Sequence, residues 1–338
     1  MAFLLPPNGR GVWPAPGSIR PDCPTDIPKG TALDANPEHA AFRSQRRRLA
    51  PVSVVIPCHN AAETVPRAVN SVRRQTWRPA EVILVDDASI DGTSDLLQEL
   101  AEGKFDPKDR GWIRVCGLAR NQGPGAARNA GWNQAAQPLL AFLDADDAWH
   151  PEKIAVQADF MLARPHIALS GHRAGRFRSG EPSAPEREGE GGFRVGRIGG
   201  PATPPILPRG RASRARRIGA GRLLSHNCLK TRSVMLRRSL PFRFAGDKRR
   251  SEDYLLWLEI ALSGRSVWRL EAELAFSFKA DIGAGGLTAN PARMAAAERD
   301  TYRRLWRSGL LGPFSTVPAL GFSWIRHGLR RLRLMRRR

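Results

Sequence analysis

The sequence predicts an α/β protein with a mostly parallel sheet and helices on both faces. Between residues 52 and 143, short runs of β-branched and apolar residues alternate with segments that have helical spacing. This alternation is typical of βαβ units, in which each helix crosses back over the sheet. The chain has 338 residues, 41% of them hydrophobic, which is enough to build a substantial core.

The first strand is predicted at residues 52–57, a β-branched run that ends at Pro57. Such a run is typical of a strand buried on both faces. Asn60 and Glu63 have the spacing of an N-cap and a capping box, which predicts the start of a helix. Pro66 fits this helix only if its regular part begins a few residues later.

The same pattern predicts the next elements of the sheet. Strands are predicted at 81–87, near 113–117 and at 139–143, a helix containing Leu96, Leu97 and Leu100 lies between the first two, and a Gly-rich turn leads into a helix at 123–136. Ordered structure is expected to resume near 234–236. Residues 252–263 have leucines at helical spacing and Gly264 as a stop signal, which predicts a further helix.

The net charge of +22 is concentrated outside the predicted fold. Residues 1–50, 170–222 and 326–338 together supply +18 of the net charge of +22. The first stretch is typical of a disordered tail and the second of an Arg/Gly/Pro-rich flexible insert. Because a nucleic-acid-binding protein usually has its basic charge on the folded module, we expect no nucleic-acid partner.

Polar residues follow the predicted strands at the points where they end. Five of them are carboxylates: Asp86, Asp87, Asp144, Asp146 and Asp147. The carboxyl ends of parallel strands form the ligand-binding edge of an open sheet. Carboxylates gathered there repel one another unless a cation or hydrogen-bond donors compensate them. The arrangement therefore indicates a metal–nucleotide site that binds Mg²⁺ or Mn²⁺.

Five segments together resemble the inverting family 2 glycosyltransferases. They are VVIPCHN (54–60), ILVDDASIDGT (83–93), NQGPGAARNAG (121–131), FLDADD (142–147) and SEDYLLW (251–257). The resemblance is dense over 52–165 and looser over 225–285. It implies a GT-A fold, a Rossmann-like sheet that forms a single catalytic domain, here followed by a basic C-terminal helical tail.

The resemblance also implies roles for individual residues. Asp253 would be the catalytic base, Asp146 would hold the metal, and the donor would contact Pro57, Asn60, Glu63, Asp87, Arg128 and Asp144. Asp87 would bind the base of the nucleotide, Arg128 would lie near the base or phosphates, and Asp144 would contact the ribose or sugar. Lys279, near a loop at 285–288, is a further candidate for a phosphate contact.

The activity implied is transfer of a sugar, with inversion, from a nucleoside-diphosphate donor. UDP-sugars are the commonest donors in this family, and the acceptor would be a glycan or lipid-linked, as in cell-envelope polysaccharide synthesis. No run of about 18 apolar residues occurs, so we expect no membrane span. The four scattered cysteines fit a reducing cytoplasm. The basic, apolar tail fits peripheral binding to an anionic membrane, or packing as an ordinary helix.

These features predict five regions and leave two alternatives open. The regions are a tail (1–50), a nucleotide-sugar half (51–169), the flexible insert (170–222), an acceptor and catalytic-base half (223–312) and the basic tail (313–338). One alternative is a catalytically inactive nucleotide-binding relative. The other is a nucleotidyltransferase, which fits less well because a triphosphate-binding loop does not follow the first strand.

Overall fold

The computed structural model describes residues 49–176, 214–278, 290–321 and 323. Nine strands among them form one sheet. Their bounds are β1 Ala50–Cys58, β2 Pro79–Asp86, β3 Ile113–Gly117, β4 Leu139–Phe142, β5 Asp147–Trp149, β6 Ile167–Arg176, β7 Ala215–Arg217, β8 Met235–Arg237 and β9 Ser266–Ser277.

Seven α-helices with defined bounds accompany the sheet in the described residues. They are α1 Val65–Arg73, α2 Thr93–Ala101, α3 Pro124–Gln134, α4 Lys153–Leu162, α5 Ala220–Ser225, α6 Glu252–Leu262 and α7 Pro291–Arg307. Short 3₁₀ turns lie at Pro107–Asp109 and Thr231–Ser233. Residues 313–321 are also helical.

The strand order is β3-β2-β1-β4-β8-β6-β9-β5, with β7 paired to β9. Strands β1 to β4 are parallel, and so is the long β6–β9 ladder, whereas β8 runs antiparallel to both of its neighbours. The predicted α/β fold with a mostly parallel sheet is therefore confirmed. The order of β1 to β4 puts their carboxyl ends along one edge.

Four aromatic side chains connect the sheet to α6. Trp132 of α3 packs on Phe142 of β4, Phe142 on Phe244, and Phe244 on Trp257 of α6, with ring centroids 5.2–5.9 Å apart. Tilted and edge-on contacts at this spacing are favourable for aromatic rings. This row of rings therefore anchors α6 beside the end of β4.

Two expectations about chain boundaries need correction. Helix α1 begins at Val65, after Thr64, so Asn60 is not its N-cap, although the late start does accommodate Pro66 in the first turn. The stretch 170–222, predicted as a flexible insert, contributes ordered strand at both ends, through β6 and β7. Its central residues, 177–213, lie outside the described residues.

Candidate active site

The candidate site is built on the carboxyl ends of β1, β2 and β4. Cys58 and Asp86, the last residues of β1 and β2, are paired in register. The Asp87 amide then donates to the Cys58 carbonyl, and the Leu143 amide donates to Val55 on the other side. These bonds align the three strand ends, so the polar residues that follow them come together at one edge.

Asp87 is held by the turn that precedes α3. Its two carboxylate oxygens accept from the Gln122 and Gly123 amides, each at 2.7 Å. Gly123 has φ +91, a conformation that favours glycine. The predicted base contact, Asp87, is thus a buried carboxylate that joins β2 to the Gly-rich turn. A carboxylate has more lone pairs than these two bonds use.

The loops after β1 and β2 bind each other through side chains. The Asn60 side-chain oxygen accepts from the Ile90 backbone amide at 3.0 Å. The backbone amide of Asn60 donates to the Ser89 hydroxyl, also at 3.0 Å. Ser89 in turn donates to Asp86. Asn60, predicted as a donor contact, therefore shapes the loop itself.

The two other predicted donor contacts near β1 lie close to this loop. Pro57 is partly buried within β1, and Glu63 is exposed just before α1. Their contacts with a donor remain predictions.

Three non-glycine residues near the site have positive φ angles. Asn60 (φ 48), Ala88 (φ 53) and Ser251 (φ 56) lie after β1, after β2 and before α6, respectively. Asn adopts this region readily, whereas Ala and Ser do so at some cost in free energy. The backbone is therefore most constrained where the predicted ligand contacts lie.

Arg128 forms a buried bridge between β4 and α6. Its Nη1 donates to Glu252 at 2.8 Å and its Nη2 donates to Asp144 at 2.7 Å. The Arg128 side chain is only 6% exposed, so its guanidinium is largely shielded from solvent. Arg128, predicted to lie near the base or phosphates, thus makes its hydrogen bonds here to two carboxylates.

Burial and charge oppose each other in this bridge. Burial alone would lower the pKa of Arg128, but the charges of Asp144 and Glu252 raise it above the ordinary arginine value. Burial raises the pKa of Glu252 above the ordinary glutamate value, against the effect of the Arg128 charge. Arg128 is therefore charged, and the ionisation of Glu252 depends on the nearby charge of Arg128.

Asp253, the predicted catalytic base, lies in the first turn of α6. Its Oδ2 accepts from the Thr231 hydroxyl at 3.1 Å and from the Asn227 amide group at 3.5 Å. Oδ1 accepts from the Tyr254 amide. The residue is partly exposed, and acidic residues are favoured at a helix N-terminus. The carboxylate is thus oriented by neighbours yet open on one side.

The segment after β4 brings three aspartates together. The Asp147 amide donates to the Asp144 carbonyl, and Arg67 donates to the Asp146 carbonyl at 2.8 Å. Burial and the charges of Asp144 and Asp146 raise the pKa of Asp147 to about 7, although Arg232 opposes this. Asp144 and Asp146, predicted as sugar and metal contacts, are both partly exposed.

The protein's own donors compensate most of the carboxylates that the sequence gathers at this edge. Ser89 binds Asp86, two backbone amides bind Asp87, Arg128 binds Asp144 and Arg232 binds Asp147. The repulsion expected from the sequence is therefore relieved in part within the chain, and the raised pKa of Asp147 shows the part that remains. In the described residues, no group of three or more His, Cys, Asp or Glu side chains is arranged to hold a metal ion.

Several residues of the site were missed by the sequence analysis. Glu252 falls within the SEDYLLW segment but was given no role of its own. Its hydrogen bond from Arg128 joins residues 124 positions apart. Thr231, Asn227 and Arg232 carry no motif, and only the fold brings them to the aspartates. Lys279 and the loop at 285–288 lie outside the described residues.

Solved structures with related folds identify the class of protein. S. aureus TarS (residues 1–349, with UDP-GlcNAc) matches with TM-score 0.55 and 19% identity, over 82% of this chain and 72% of that one. The mannosyltransferase PcManGT of Pyrobaculum calidifontis, with GDP-Man and Mn²⁺, matches with TM-score 0.51 and 19% identity, over 85% and 76%. The curled sheet and its strand-end site thus define a protein of the GT-A class.

The chain belongs to glycosyl transferase family 2, whose pattern matches residues 53–235, more than half of the sequence. The predicted family is therefore confirmed.

Curated relatives match about a third of this chain. The putative teichuronic acid biosynthesis glycosyltransferase TuaG of Bacillus subtilis is 40% identical over 113 residues, 33% of this chain and 42% of TuaG. The Escherichia coli enzyme WfgD, a UDP-Glc:α-D-GlcNAc-diphosphoundecaprenol β-1,3-glucosyltransferase, is 31% identical over 111 residues, 33% and 41% of the two chains. The Rhizobium meliloti succinoglycan biosynthesis protein ExoO is 38% identical over 103 residues, 30% and 27%. The matched segment spans less than half the length of each relative.

Among the residues that the structure describes, none of the helices has the length and apolar character needed to cross a membrane.

Proposed function

We propose that this protein transfers a sugar, with inversion, from a nucleoside-diphosphate donor to a glycan or lipid-linked acceptor. The observation that carries the proposal is the Arg128 bridge between Asp144 at the end of β4 and Glu252 in α6. The bridge ties the first turn of α6, which also carries the candidate base Asp253, to the end of β4. A proposed donor contact and the helix that carries the proposed base are thus joined by one buried ion-pair network.

The names of the relatives support a donor and an acceptor class. TarS was solved with UDP-GlcNAc, and WfgD is named for a UDP-glucose donor and a diphosphoundecaprenol-linked acceptor. TuaG and ExoO are named for the synthesis of envelope or exported polysaccharides. We therefore propose a UDP-sugar donor and a role in cell-envelope polysaccharide synthesis, at the inner face of the membrane.

The residues at the end of β4 fit a divalent cation, Mn²⁺ or Mg²⁺. Asp144 and Asp146 offer carboxylate oxygens, and the raised pKa of their neighbour Asp147 reflects in part the negative charge that they create. Mg²⁺ is commonly held by one or two carboxylates together with substrate phosphates, so a set of three protein ligands is not required. When bound, the cation would stabilise negative charge on the departing diphosphate.

Asp253 would accept the proton of the acceptor hydroxyl. The acceptor oxygen forms its bond to the anomeric carbon as the bond from that carbon to the nucleoside diphosphate breaks. The hydroxyl proton passes to a carboxylate oxygen of Asp253, while Thr231 and Asn227 keep the carboxylate oriented. Attack opposite to the leaving group inverts the anomeric configuration.

We assign donor binding and acceptor binding to different halves of the site. We propose that residues 51–169, which carry Pro57, Asn60, Glu63, Asp87, Arg128 and Asp144, bind the donor. Residues 223–312, which carry Asp253, would bind the acceptor.

The test compares Asp253→Asn with the native chain and with Asp95→Asn, an exposed aspartate of α2. We expect Asp253→Asn to abolish sugar transfer yet still bind UDP, and Asp95→Asn to behave as the native chain. Transfer is measured as nucleotide release from a panel of nucleotide sugars, with bacterial lipid-linked glycans as acceptors. UDP binding is measured by calorimetry with Mn²⁺.

The outcomes separate the alternatives. Transfer by Asp253→Asn at the native rate would refute the base assignment. Nucleotide binding without transfer by the native chain would favour the inactive relative. If Asp146→Ala leaves metal-dependent nucleotide binding unchanged, the metal assignment is wrong.

A further inference from the structure

A basic cleft lies beside the candidate site, between the loop before α6 and helix α7. Its volume is about 310 Å³, large enough for a small polar group. The lining residues are Asp247, Lys248, Arg249, Arg250, Arg293, Ala296, Ala297, Asp300 and Arg304. Five of these side chains are basic and two are acidic, so the cleft carries three net positive charges.

The two carboxylates of the cleft are already bound by two of its cations. Lys248 donates to Asp300 at 2.7 Å, and Arg304 forms a two-pronged pair with Asp247. Lys248 is buried, and its Nζ also donates to the Ala297 carbonyl. These bonds connect α7 to the loop before α6, and they compensate the two negative charges of the cleft.

Arg249 and Arg293 lie at the rim with their charge available. Arg249 is exposed and donates to the carbonyl of Asn121, a neutral partner. Arg293 is exposed in the first turn of α7. Among the described residues, no carboxylate lies within ion-pair distance of either guanidinium. Each can therefore donate to an incoming anion without losing an existing ion pair.

The position of the cleft connects it with both halves of the site. Residues 247–250 lead directly into α6 and its candidate base Asp253. Arg249 also lies against Gly123, whose amide binds Asp87. The cleft thus borders both the segment that leads to Asp253 and the turn that holds Asp87, and the Asp144–Asp146 segment that we assign to the donor diphosphate is not part of its lining.

We propose that this cleft binds the diphosphate group of a lipid-linked acceptor. The inference rests on the proposed function and extends it by naming the chemistry that the acceptor presents. Guanidinium groups pair with phosphate oxygens through two parallel hydrogen bonds, which suits a diphosphate better than a neutral glycan. The diphosphate would hold the acceptor while its sugar hydroxyl reaches Asp253.

The first test is a calorimetric titration of the full chain with inorganic pyrophosphate. Saturating UDP and Mg²⁺ are present throughout, so that the donor site is filled. We expect the native chain to bind pyrophosphate, and Arg293→Gln to weaken binding about fivefold or more, because one charged hydrogen-bond partner is lost. Arg249→Gln is expected to weaken it as well.

Arg303→Gln is the matched control, because Arg303 is exposed on the same helix but does not line the cleft. It should bind pyrophosphate like the native chain. Equal affinity in all four proteins would overturn the proposal. So would a failure of the native chain to bind pyrophosphate while UDP fills the donor site, because the anion would then have no site of its own.

A second titration, with farnesyl diphosphate, separates an acceptor from a free anion. Binding that again depends on Arg293 supports a lipid-linked diphosphate as the ligand. Binding of pyrophosphate alone would overturn the acceptor assignment. If UDP fails to bind while both diphosphates bind through Arg293, the proposed UDP-sugar donor is wrong. The diphosphate site in the cleft would then still be supported.

Discussion

Arg128 holds carboxylates that lie far apart in the sequence, and its removal would leave both without their cation. We expect Arg128→Gln to lower the free energy of unfolding by about 3 kcal/mol, the usual cost of breaking a buried ion pair. The measurement is denaturant unfolding followed by tryptophan fluorescence.

The pH dependence of that loss follows from Glu252. Its pKa is raised by burial even with Arg128 present, and removing the arginine raises it further. The folded variant then holds a proton that the unfolded chain releases, so its stability falls as pH rises above the ordinary glutamate range. The double variant Arg128→Gln, Glu252→Gln should recover part of the loss at pH 8. A deficit that is independent of pH would contradict this account.

Thr231 is a positioning residue in the proposed reaction. Its hydroxyl is 3.1 Å from Asp253 Oδ2 and helps to orient that carboxylate. We expect Thr231→Val to lower kcat about three- to tenfold with little change in the KM of the acceptor, because one orienting hydrogen bond is lost. Thr231→Ser keeps the hydroxyl and should restore kcat. A loss of activity that Thr231→Ser does not restore would indicate a merely structural role.

At the scale of elements, helix α3 packs unusually close to the sheet. A Cβ added at Gly131 would lie 2.5 Å from Val55 Cγ1 and 3.1 Å from Val85 Cγ2. Because both valines are buried in β1 and β2, we expect Gly131→Ala to lower the free energy of unfolding by about 1–3 kcal/mol.

Gly221 in α5 provides the comparison, since nothing lies within 4 Å of its added Cβ. Gly221→Ala should be neutral or slightly stabilising, because alanine favours helix. Thermal unfolding of the two variants side by side checks the contrast. Equal effects would mean that the contact at Gly131 is relieved by a shift of α3.

The elements that sequence patterns predicted are those with strong local signals. Strands β1, β2 and β4 are almost fully buried, whereas the edge strand β3 is buried only at its first residue, and all four end within about two residues of the prediction. Helix α1 was predicted too early because Asn60 uses its side chain to bind the Ile90 amide of another loop. That choice of partner depends on the fold and leaves no trace in the local sequence.

Strands β5 to β9 were not predicted, although order was expected to resume near 234–236, where β8 lies. Strands β5 and β7 have three residues each and exist only through pairing with β9, distant in sequence. In β9, the alternate burial of Leu270, Ala272 and Leu274 is a period-two signal that could have been found.

For the whole molecule, the basic tail predicts binding to anionic membranes. Residues 326–338 carry seven arginines and no acidic residue. Each basic residue near an anionic surface contributes about 1 kcal/mol at most, and salt screens the attraction. We expect the full chain, but not one ending at residue 323, to sediment with vesicles that contain phosphatidylglycerol.

Vesicles of phosphatidylcholine alone serve as the control, and raised salt should release the full chain. If the shortened chain binds equally well, the interaction lies in the folded domain and the tail assignment is wrong. Residues 324–338 lie outside the described residues, so the sequence alone supports this prediction.

The candidate site of the whole molecule was predicted residue by residue but not as a network. Motifs identified Asp87, Asp144 and Asp253, because these positions follow strands or begin a helix. The partners that hold them, Gln122, Arg128 and Thr231, could be paired only once the fold was known. Local patterns thus locate the candidate carboxylates, whereas their hydrogen-bond and ion-pair partners depend on long-range packing.

The contact between Arg249 and the Asn121 carbonyl has a thermodynamic consequence. The same turn gives its Gly123 amide to Asp87, so one short segment borders both proposed ligand positions. A nucleotide that shifts this turn would change the affinity of the neighbouring cleft for its anion. Linkage requires the reverse effect to have the same magnitude. The affinities of the two substrates would then be coupled, and the coupling free energy would pass through one backbone turn.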